Sequence, residues 1–368
     1  MRIGFDAKRA FQNRTGLGNY ARTLLSNLKT YFPSEEYVLF APNKQTEFQK
    51  RFQDDAVVTP ARKHLFWRSL GIKKDIRTTG VELFHGLSNE LPFGIDRTGI
   101  PSVVTIHDVI FDIIEEDFPW HDRMIYRMKT RKCIAQASKI IAISEATKSD
   151  LIERFNADPN KIEVIYQPID CQFDQPIFSP RELEASRKKH QLPERYMLYV
   201  GALMKRKNIL SMIRAWQQLP PEHVFPLLIY GNGNQYKQEV IQYIRNHGLE
   251  DRVQLRDQLP FEDLPCIYRL AEVVLYPSLY EGFGLPVAEA LACGTRVVTS
   301  SVSSMPEAGG TLCQYVDPHS VSSIAEGIVR SLNEPRPDPE AISKHLKQFD
   351  SFTLTEQIVN VYRELTGN

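Results

Sequence analysis

The stretch YPSLYEGFGLPVAEALACG (residues 276–294) decides the fold that we expect for this chain. An apolar run ends near Pro277, a loop with two glycines follows, and Pro286 suits the first turn of a helix that Gly294 would end. Such a strand, loop and helix direct backbone N–H groups and a positive helix end to one place. That arrangement suits an anion such as a diphosphate.

The same alternation of strand and helix extends along the chain. Apolar runs predict strands at residues 3–5, 37–40, 81–85, 103–106, 140–143, 161–165, 197–200, 227–230, 253–255, 273–276 and 296–299. Amphipathic segments predict helices between them, for example at 19–28, 121–137, 209–218 and 238–247. This pattern indicates parallel sheets covered by helices. We expect two Rossmann-like, doubly wound domains facing across a cleft, with ligands at the carboxyl ends of the strands.

The domain boundary is predicted from length and from proline content. A chain of 368 residues suggests about two domains, and residues 167–193 are polar and carry four prolines. We expect an N-terminal domain at 1–175, a C-terminal domain at 176–350, and a final helix at 351–368 that completes the first domain. Thr353 and Glu356 have the spacing of a capping box at the start of that helix.

Composition excludes several classes of protein. Lys plus Arg equals Asp plus Glu at 45 each, so no overall charge favours nucleic acid. The five cysteines lack metal-ligand spacing and are expected to be reduced structural thiols. The N-terminus lacks the apolar core of a signal peptide, and no apolar run approaches the ~18 residues that cross a bilayer. We expect a cytoplasmic protein.

Two glutamates in the first stretch are candidate ligand-binding residues. Glu281 lies in the loop and Glu289 within the helix, where their carboxylates could accept hydrogen bonds from the hydroxyls of a sugar or ribose. Gly282 and Gly284 would let a ligand approach the backbone closely. The alternative is a buried turn in which Glu289 merely favours the helix dipole.

Cations and glycines mark two further strand ends. Lys205, Arg206 and Lys207 follow the strand at 197–200 and could neutralise a diphosphate, the alternative being a solvated cationic turn. Gly231 and Gly233 follow the next strand and are expected to line a nucleotide pocket.

The segment TGLGNYA (residues 15–21) fits a dinucleotide-binding GxGxxA pattern. It begins about ten residues after its strand, too far for the tight turn, and no acid ends the next strand. An NAD-dependent oxidoreductase is therefore disfavoured. His107 directly follows the predicted strand at 103–106. A lone histidine at a strand end is more often a structural hydrogen-bonding residue than a catalyst.

These motifs together resemble the signature of the family 4 retaining glycosyltransferases of the GT-B fold, and of mannosyltransferase-type members in particular. The resemblance implies a nucleotide-sugar donor on the C-terminal domain and an acceptor on the N-terminal domain. It assigns Glu289 to the donor ribose and Glu281 to the transferring sugar. The amides of Gly282, Phe283, Gly284 and Leu285 would hold sugar and diphosphate.

The resemblance also implies roles at the other strand ends. Arg206 and Lys207 match the diphosphate-binding pair, Gly18 would lie near the reacting centre, and His107 would contact the transferring sugar. Many members carry an arginine where this chain has Ala202, which is a departure from the family pattern. Acceptor-side positions with weaker support are Asn89, Asp108 and Ser144, while the loop at 303–308 is expected to be structural.

The activity implied is retaining, metal-independent transfer of a hexose to a hydroxyl acceptor in surface polysaccharide or glycoconjugate synthesis. GDP-mannose is the first expected donor and a UDP-hexose the second; neither cofactor nor metal is expected. A GT-B nucleotide-sugar epimerase, a phosphorylase and a non-catalytic nucleotide-sugar-binding subunit are the alternatives.

Two segments mix cations with apolar residues and could lie on an anionic membrane that carries a lipid-linked acceptor. The first combines Arg62, Lys63, Arg68, Lys73, Lys74 and Arg77 with Phe66, Trp67 and Leu70. The second combines Arg123, Arg127, Lys129, Arg131 and Lys132 with Trp120, Met124 and Tyr126. The alternative is two solvated helix faces.

Overall fold

A computed structural model describes residues 1–13, 15–42, 48, 52, 56–60, 67–173, 178–256 and 259–367. The chain forms two compact units, Met1–Pro168 with Phe349–Asn368, and Ile169–Gln348. The chain passes from the first unit to the second between Pro168 and Ile169, within the polar segment at residues 167–193. The expected boundary at 175/176 falls at residues 174–177, which are outside the described residues.

The first unit is a parallel sheet with helices. Its strands are β1 (Arg2–Asp6), β2 (Glu36–Phe40), β3 (Ala56–Val58), β4 (Leu83–Gly86), β5 (Ser102–Ile106), β6 (Lys139–Ala142) and β7 (Ile162–Val164). They are ordered β3-β2-β1-β4-β5-β6-β7. Its first helices are α1 (Lys8–Gln12), α2 (Gly16–Tyr31), α3 (Ile72–Thr78), α4 (Ile110–Ile113), α5 (Trp120–Gln136) and α6 (Glu145–Phe155).

The second unit repeats this architecture. Its strands are β8 (Met197–Val200), β9 (Leu227–Tyr230), β10 (Val253–Arg256), β11 (Val273–Tyr276), β12 (Arg296–Ser300) and β13 (Gln314–Val316), ordered β10-β9-β8-β11-β12-β13. Its helices are α7 (Pro180–Lys189), α8 (Ile209–Gln217), α9 (Gln235–Asn246), α10 (Leu264–Leu270), α11 (Leu285–Ala292), α12 (Met305–Gly309), α13 (Val321–Asn333) and α14 (Pro339–Leu346). The prediction of two Rossmann-like, parallel-sheet domains is confirmed.

Each of the eleven predicted apolar runs coincides with a strand. The central strands are covered by helices and contribute fully buried side chains such as Phe5, Val103 and Ile140, which explains their continuous apolar sequences. The sequence analysis missed β3 and β13. Both are three-residue edge strands, and of their six side chains only that of Val316 is buried.

The last helix, α15 (Ser351–Thr366), returns to the first unit and buries Leu354, Ile358 and Tyr362 in its core. The predicted capping box was wrong. The helix begins at Ser351, and the Asp350 carboxylate accepts hydrogen bonds from the backbone N–H of Thr353 at 2.8 Å and from its hydroxyl at 2.7 Å. Asp350 is therefore the N-cap, because its carboxylate satisfies an N–H that the first turn leaves free.

None of the helices in the described part of the chain is both long and apolar enough to cross a membrane.

Candidate active site

The loop between β11 and α11 has the predicted conformation. Gly284 precedes the helix with φ +102°, and a Cβ there would lie 2.3 Å from Cε of Met305, so only glycine fits without strain. Pro286 occupies the first turn, and Gly294, at φ +68°, follows the helix. The N-terminal N–H groups of α11 therefore lie at the carboxyl end of β11.

Glu281 is buried between the two predicted cations. Its Oε2 lies 2.9 Å from Nη1 of Arg206, and its Oε1 pairs with the ammonium of Lys207. Burial alone would raise the pKa of Glu281, but the charges of Lys207 and Arg206 lower it to about 2. The carboxylate is therefore ionised at neutral pH. Lys207 is only 7% exposed, so the solvated cationic turn is not what the structure shows for that residue.

Three hydroxyl groups support this cluster: that of Tyr276, to which the sequence analysis gave no role, and those of Ser303 and Ser304 in the loop that it expected to be structural. The hydroxyl of Tyr276, the last residue of β11, accepts a hydrogen bond from Lys207. Ser303 and Ser304 both donate to the carbonyl of Glu281, and Ser304 also lies 2.9 Å from the carbonyl of Phe283. The loop at 303–308 thus fixes the backbone of the loop that carries Glu281. The strand-end position of Tyr276 was the one signal that could have indicated its role.

Glu289 occupies a different electrostatic environment. Burial raises its pKa to about 7, although the hydroxyl of Tyr268 donates a hydrogen bond to its Oε2 at 3.1 Å and opposes that shift. The two glutamates thus differ in charge: Glu281 is ionised, while Glu289 takes up a proton near neutral pH. Glu289 can therefore accept hydrogen bonds from a neutral hydroxyl-bearing ligand and, when protonated, donate one to it.

The glycine turn after β9 packs closely on the turn after β8. A Cβ at Gly231 would lie 1.8 Å from the carbonyl oxygen of Gly201, and a Cβ at Gly233 would lie 2.5 Å from that of Leu203. Both positions thus exclude a side chain. The glycines therefore form a turn at the carboxyl end of β9. Arg206 follows the neighbouring strand β8, so both lie at the same edge of the sheet.

In the first unit, both ring nitrogens of His107 are engaged by protein groups. Nε2 lies 3.0 Å from the carbonyl oxygen of Leu87, and Nδ1 lies 2.8 Å from the amide nitrogen of Gln167. The ring also contacts Tyr20 edge to face, at 4.7 Å between centroids. Burial lowers the pKa of His107 to about 4, so the ring is neutral at pH 7. The sequence analysis did not single out Gln167.

The acceptor-side candidates surround the backbone of His107. The Asn89 side chain accepts from the N–H of His107 at 2.7 Å and donates to the carbonyl of Asp108 at 3.1 Å. Ser144 is fully buried, and its hydroxyl oxygen caps α6 by accepting from the N–H of Thr147 at 3.0 Å. The structure therefore brings these residues together, and it gives Asn89 and Ser144 positioning contacts. Asp108 is partly exposed.

Gly18 lies in the first turn of α2, in a closely packed loop. A Cβ at this position would lie 1.9 Å from the carbonyl oxygen of Asn13. The Asn13 side chain accepts from the N–H groups of Thr15 and Gly18, at 2.8 and 3.1 Å. A compact turn thus fixes the start of α2.

The two basic segments differ from each other. Trp67 is buried and donates to Asp75 at 2.6 Å, while Arg68 pairs with Asp6 at 2.6 Å and with Glu90. Trp67 and Arg68 thus fit neither a membrane-facing surface nor a solvated helix face, because both side chains have protein partners. Arg62, Lys63 and Phe66 lie outside the described residues. On α5, in contrast, Trp120, Met124 and Tyr126 are exposed.

Within the residues that the structure describes, no group of three or more His, Cys, Asp or Glu side chains is placed to hold a metal ion. The five cysteines are free thiols, three of them buried.

The chain matches two families. Residues 15–173 match Glycosyltransferase Family 4, and residues 181–349 match Glycosyl transferases group 1. The O-antigen chain mannosyltransferase B of Escherichia coli is 33% identical over 77% of this chain and 74% of the relative. The serotype-specific mannosyltransferase WbdA of Escherichia coli is 27% identical over 73% of this chain, which spans a third of WbdA.

A solved structure has the same fold over the full length. The Anabaena protein HepE, in complex with UDP-glucose, superposes with a TM-score of 0.74 over 99% of this chain and 100% of that chain, at 19% identity.

The raised pKa of Glu289 predicts a pH-dependent loss of stability. The folded state keeps the proton up to about pH 7, whereas the unfolded state releases it near pH 4.5, so this contribution is complete below pH 4.5 and is lost as pH rises through 7. Glu289→Gln cannot ionise. We expect it to exceed the parent in unfolding free energy at pH 8, by on the order of 1–3 kcal/mol, and to match it near pH 4.5.

Urea unfolding at several pH values measures this difference, with the exposed Glu326→Gln as the matched control. A difference between Glu289→Gln and the parent that does not change with pH would contradict the assignment.

Proposed function

We propose that this chain, which belongs to the family 4 and group 1 glycosyltransferases, is a retaining hexosyltransferase that moves mannose from GDP-mannose to a hydroxyl acceptor in surface polysaccharide synthesis. The observation that carries the proposal is the cluster of Arg206, Lys207 and Glu281 beside the glycine loop and the first turn of α11. Two positioned cations, the N–H groups at the start of α11 and a fixed carboxylate suit a sugar diphosphate.

The donor is proposed to bind to the second unit and the acceptor to the first. Arg206 and Lys207 would hold the diphosphate, and the amides of Gly282 to Leu285 would meet its oxygens. Glu289, half-buried and able to donate or accept, would bind the ribose hydroxyls. Glu281 would orient the hydroxyls of the transferring sugar.

The proposed reaction breaks the bond between the anomeric carbon and the β-phosphate oxygen and forms one between that carbon and the acceptor oxygen on the same face. The acceptor proton moves to the departing β-phosphate oxygen, so atoms and charge balance without a further base. Charge that develops on the diphosphate is balanced by Arg206 and Lys207. Metal independence is part of the proposal, because these two cations supply the positive charge.

Mannose is preferred because the relative at 33% identity is named a mannosyltransferase. A UDP-hexose is the second candidate donor, since HepE has the same fold and is bound to UDP-glucose in its structure. Transfer to an added acceptor would separate the proposed activity from an epimerase or a phosphorylase. A non-catalytic subunit would bind the donor without turnover.

Donor choice is tested by thermal unfolding with GDP, GDP-mannose, UDP and UDP-glucose in the presence of EDTA. We expect GDP and GDP-mannose to raise Tm, because a ligand that binds only the folded state stabilises it. Glu289→Ala should weaken this binding by roughly 5- to 100-fold, since it removes hydrogen bonds to the ribose. Glu326→Ala is the control.

A Tm shift with UDP compounds alone would replace GDP-mannose by a UDP-hexose. The absence of any shift across the panel would contradict the transferase proposal.

The ion pairs of Glu281 with Arg206 and Lys207 lead to a prediction for the variant Glu281→Gln. Glu281→Gln leaves two buried cations without their carboxylate, which costs about 3–5 kcal/mol for a buried pair. We expect a lower Tm than in the parent, and a larger Tm increase with GDP, because the diphosphate then supplies the missing negative charge. Transfer of mannose should be lost, since the contact to the sugar is altered.

Calorimetric titration with GDP measures the affinity directly, with Glu326→Gln as the control for the change of charge. Weaker GDP binding by Glu281→Gln would show that Glu281 does not compete with the diphosphate.

We also propose that α5 lies on an anionic membrane at the cytoplasmic face, where a lipid-linked acceptor would be presented. Trp120, Met124 and Met128 follow a four-residue spacing and are 70%, 63% and 46% exposed. Arg131 continues this face and is exposed. An exposed apolar stripe next to cations is complementary to an acidic lipid surface.

Flotation with vesicles of phosphatidylglycerol and phosphatidylethanolamine tests this surface. The parent should bind, and the combined change of Trp120, Met124 and Met128 to alanine should reduce binding at least about tenfold, because each buried apolar side chain contributes roughly 1.5–3 kcal/mol. Phe352→Ala, which alters an exposed aromatic residue on α15, should bind as the parent does. No binding by the parent would reject the membrane proposal.

A further inference from the structure

Gln167 contacts the one ring nitrogen of His107 that is able to take up a proton. Its amide nitrogen lies 2.8 Å from Nδ1, and the two residues are 6% and 3% exposed. The Nε2 atom faces the carbonyl oxygen of Leu87 at 3.0 Å, and a carbonyl oxygen only accepts hydrogen bonds. Nε2 therefore carries the hydrogen, and Nδ1 keeps a lone pair that meets the amide N–H of Gln167.

We propose that Gln167 is a positioning residue for the transfer reaction, whose amide donates to Nδ1 and holds the buried His107 ring in one orientation, with its hydrogen on Nε2. This inference rests on the proposed function, with His107 in the role that the family resemblance implies for it, a contact to the transferring sugar. Gln167 follows β7 by three residues and immediately precedes the crossing at Pro168, while His107 directly follows β5. Both therefore lie at the carboxyl edge of the same sheet.

A carboxylate at position 167 would change the charge of the ring. A carboxylate there could only accept, so Nδ1 would have to carry a hydrogen and the ring would become an imidazolium. A glutamine of the same length donates to Nδ1 and leaves the ring uncharged. Because the transition state carries positive charge on the sugar, a neutral ring avoids repulsion that an imidazolium would add.

The Leu87 carbonyl favours protonation of the ring, but burial and the nearby charge oppose it. Arg9, from α1, opposes it by its charge, and Tyr20, from α2, faces the ring through its edge. The hydroxyl of Tyr20 lies 3.1 Å from that of Thr105, which lies 2.9 Å from Nε2 of His85 on β4. His85 is itself buried, and its other nitrogen lies 2.6 Å from the hydroxyl of Tyr362 on α15. No carboxylate among the described residues is paired with His107.

The backbone next to Gln167 is held in place. The ring of Tyr166 packs edge to face on Phe349, at 5.4 Å between centroids, and Phe349 begins the returning segment of this unit. The carbonyl of His107 accepts a hydrogen bond from the hydroxyl of Thr147 at 3.2 Å, and its N–H donates to Asn89. Both ends of the contact between Gln167 and His107 are thus fixed by packing or by hydrogen bonds.

The test compares the parent with Gln167→Glu and Gln167→Met, each labelled with ¹⁵N-histidine and followed by NMR from pH 5.5 to 8.5. We assign the His107 signal by its loss in His107→Gln. The parent ring should stay neutral, with its hydrogen on Nε2. In Gln167→Glu it should gain a hydrogen on Nδ1, and in Gln167→Met it should remain neutral.

The same variants are compared in the release of GDP from GDP-mannose, with α-methyl mannoside or water as acceptor. Both variants should lower kcat about tenfold with little change in KM for the donor, because the ring acts in the transition state more than in donor binding. Only Gln167→Glu should gain activity as pH rises. Gln218→Glu, at an exposed position of the second unit, is the matched control and should behave as the parent.

The inference is overturned if the parent ring carries its hydrogen on Nδ1, or if both variants keep the parent kcat, KM and pH profile. A different result would reject the proposed function without rejecting this inference. If the parent releases no nucleotide from any donor, yet the NMR spectra show the neutral ring and its change in Gln167→Glu, the transferase proposal is rejected and the control of His107 by Gln167 stands.

Discussion

The ion pairs of Glu281 with Arg206 and Lys207 are the constraint around which the second unit is arranged. A buried carboxylate is tolerated only with close positive partners, because removal from water disfavours its charged form. Arg206 and Lys207 come from the turn after β8, Glu281 from the loop after β11, and Ser303 and Ser304 from the segment after β12. Three adjacent strand ends therefore have to meet at one point.

At the strand ends of the first unit, a cluster of buried polar side chains is stabilised by hydrogen bonds. His107, His85, Thr105 and Tyr20 are buried there without a close ion pair, and they are linked through hydrogen bonds and ring contacts to one another and to α15. Burial keeps both histidines neutral: it lowers the pKa of His107 to about 4 and that of His85 to about 3. The cluster around His107 is thus uncharged, whereas the cluster around Glu281 is ionic.

Most of the fold could be predicted from the sequence, because strands buried on both faces require continuous apolar runs. The edge strands β3 and β13 were missed; five of their six side chains are not buried, so packing constrains their sequences little. The start of α15 was misplaced because Thr353 and Glu356 have the spacing of a capping box, whereas the carboxylate of Asp350 occupies the N–H of Thr353. The basic segment around Trp67 was misjudged because charge and amphipathicity do not show that Arg68 has Asp6 and Glu90 as partners.

The sequence by itself determined the positions of the strand ends and therefore of the loops that carry Glu281, Arg206 and His107. It also determined the glycines, since Gly284 and Gly18 occupy places where a side chain would collide with Met305 and Asn13. Only the tertiary structure decided which of these groups are charged. Lys207 meets Glu281 across 74 residues and Gln167 meets His107 across 60, and a pKa depends on the groups that folding places nearby, whatever their distance in sequence.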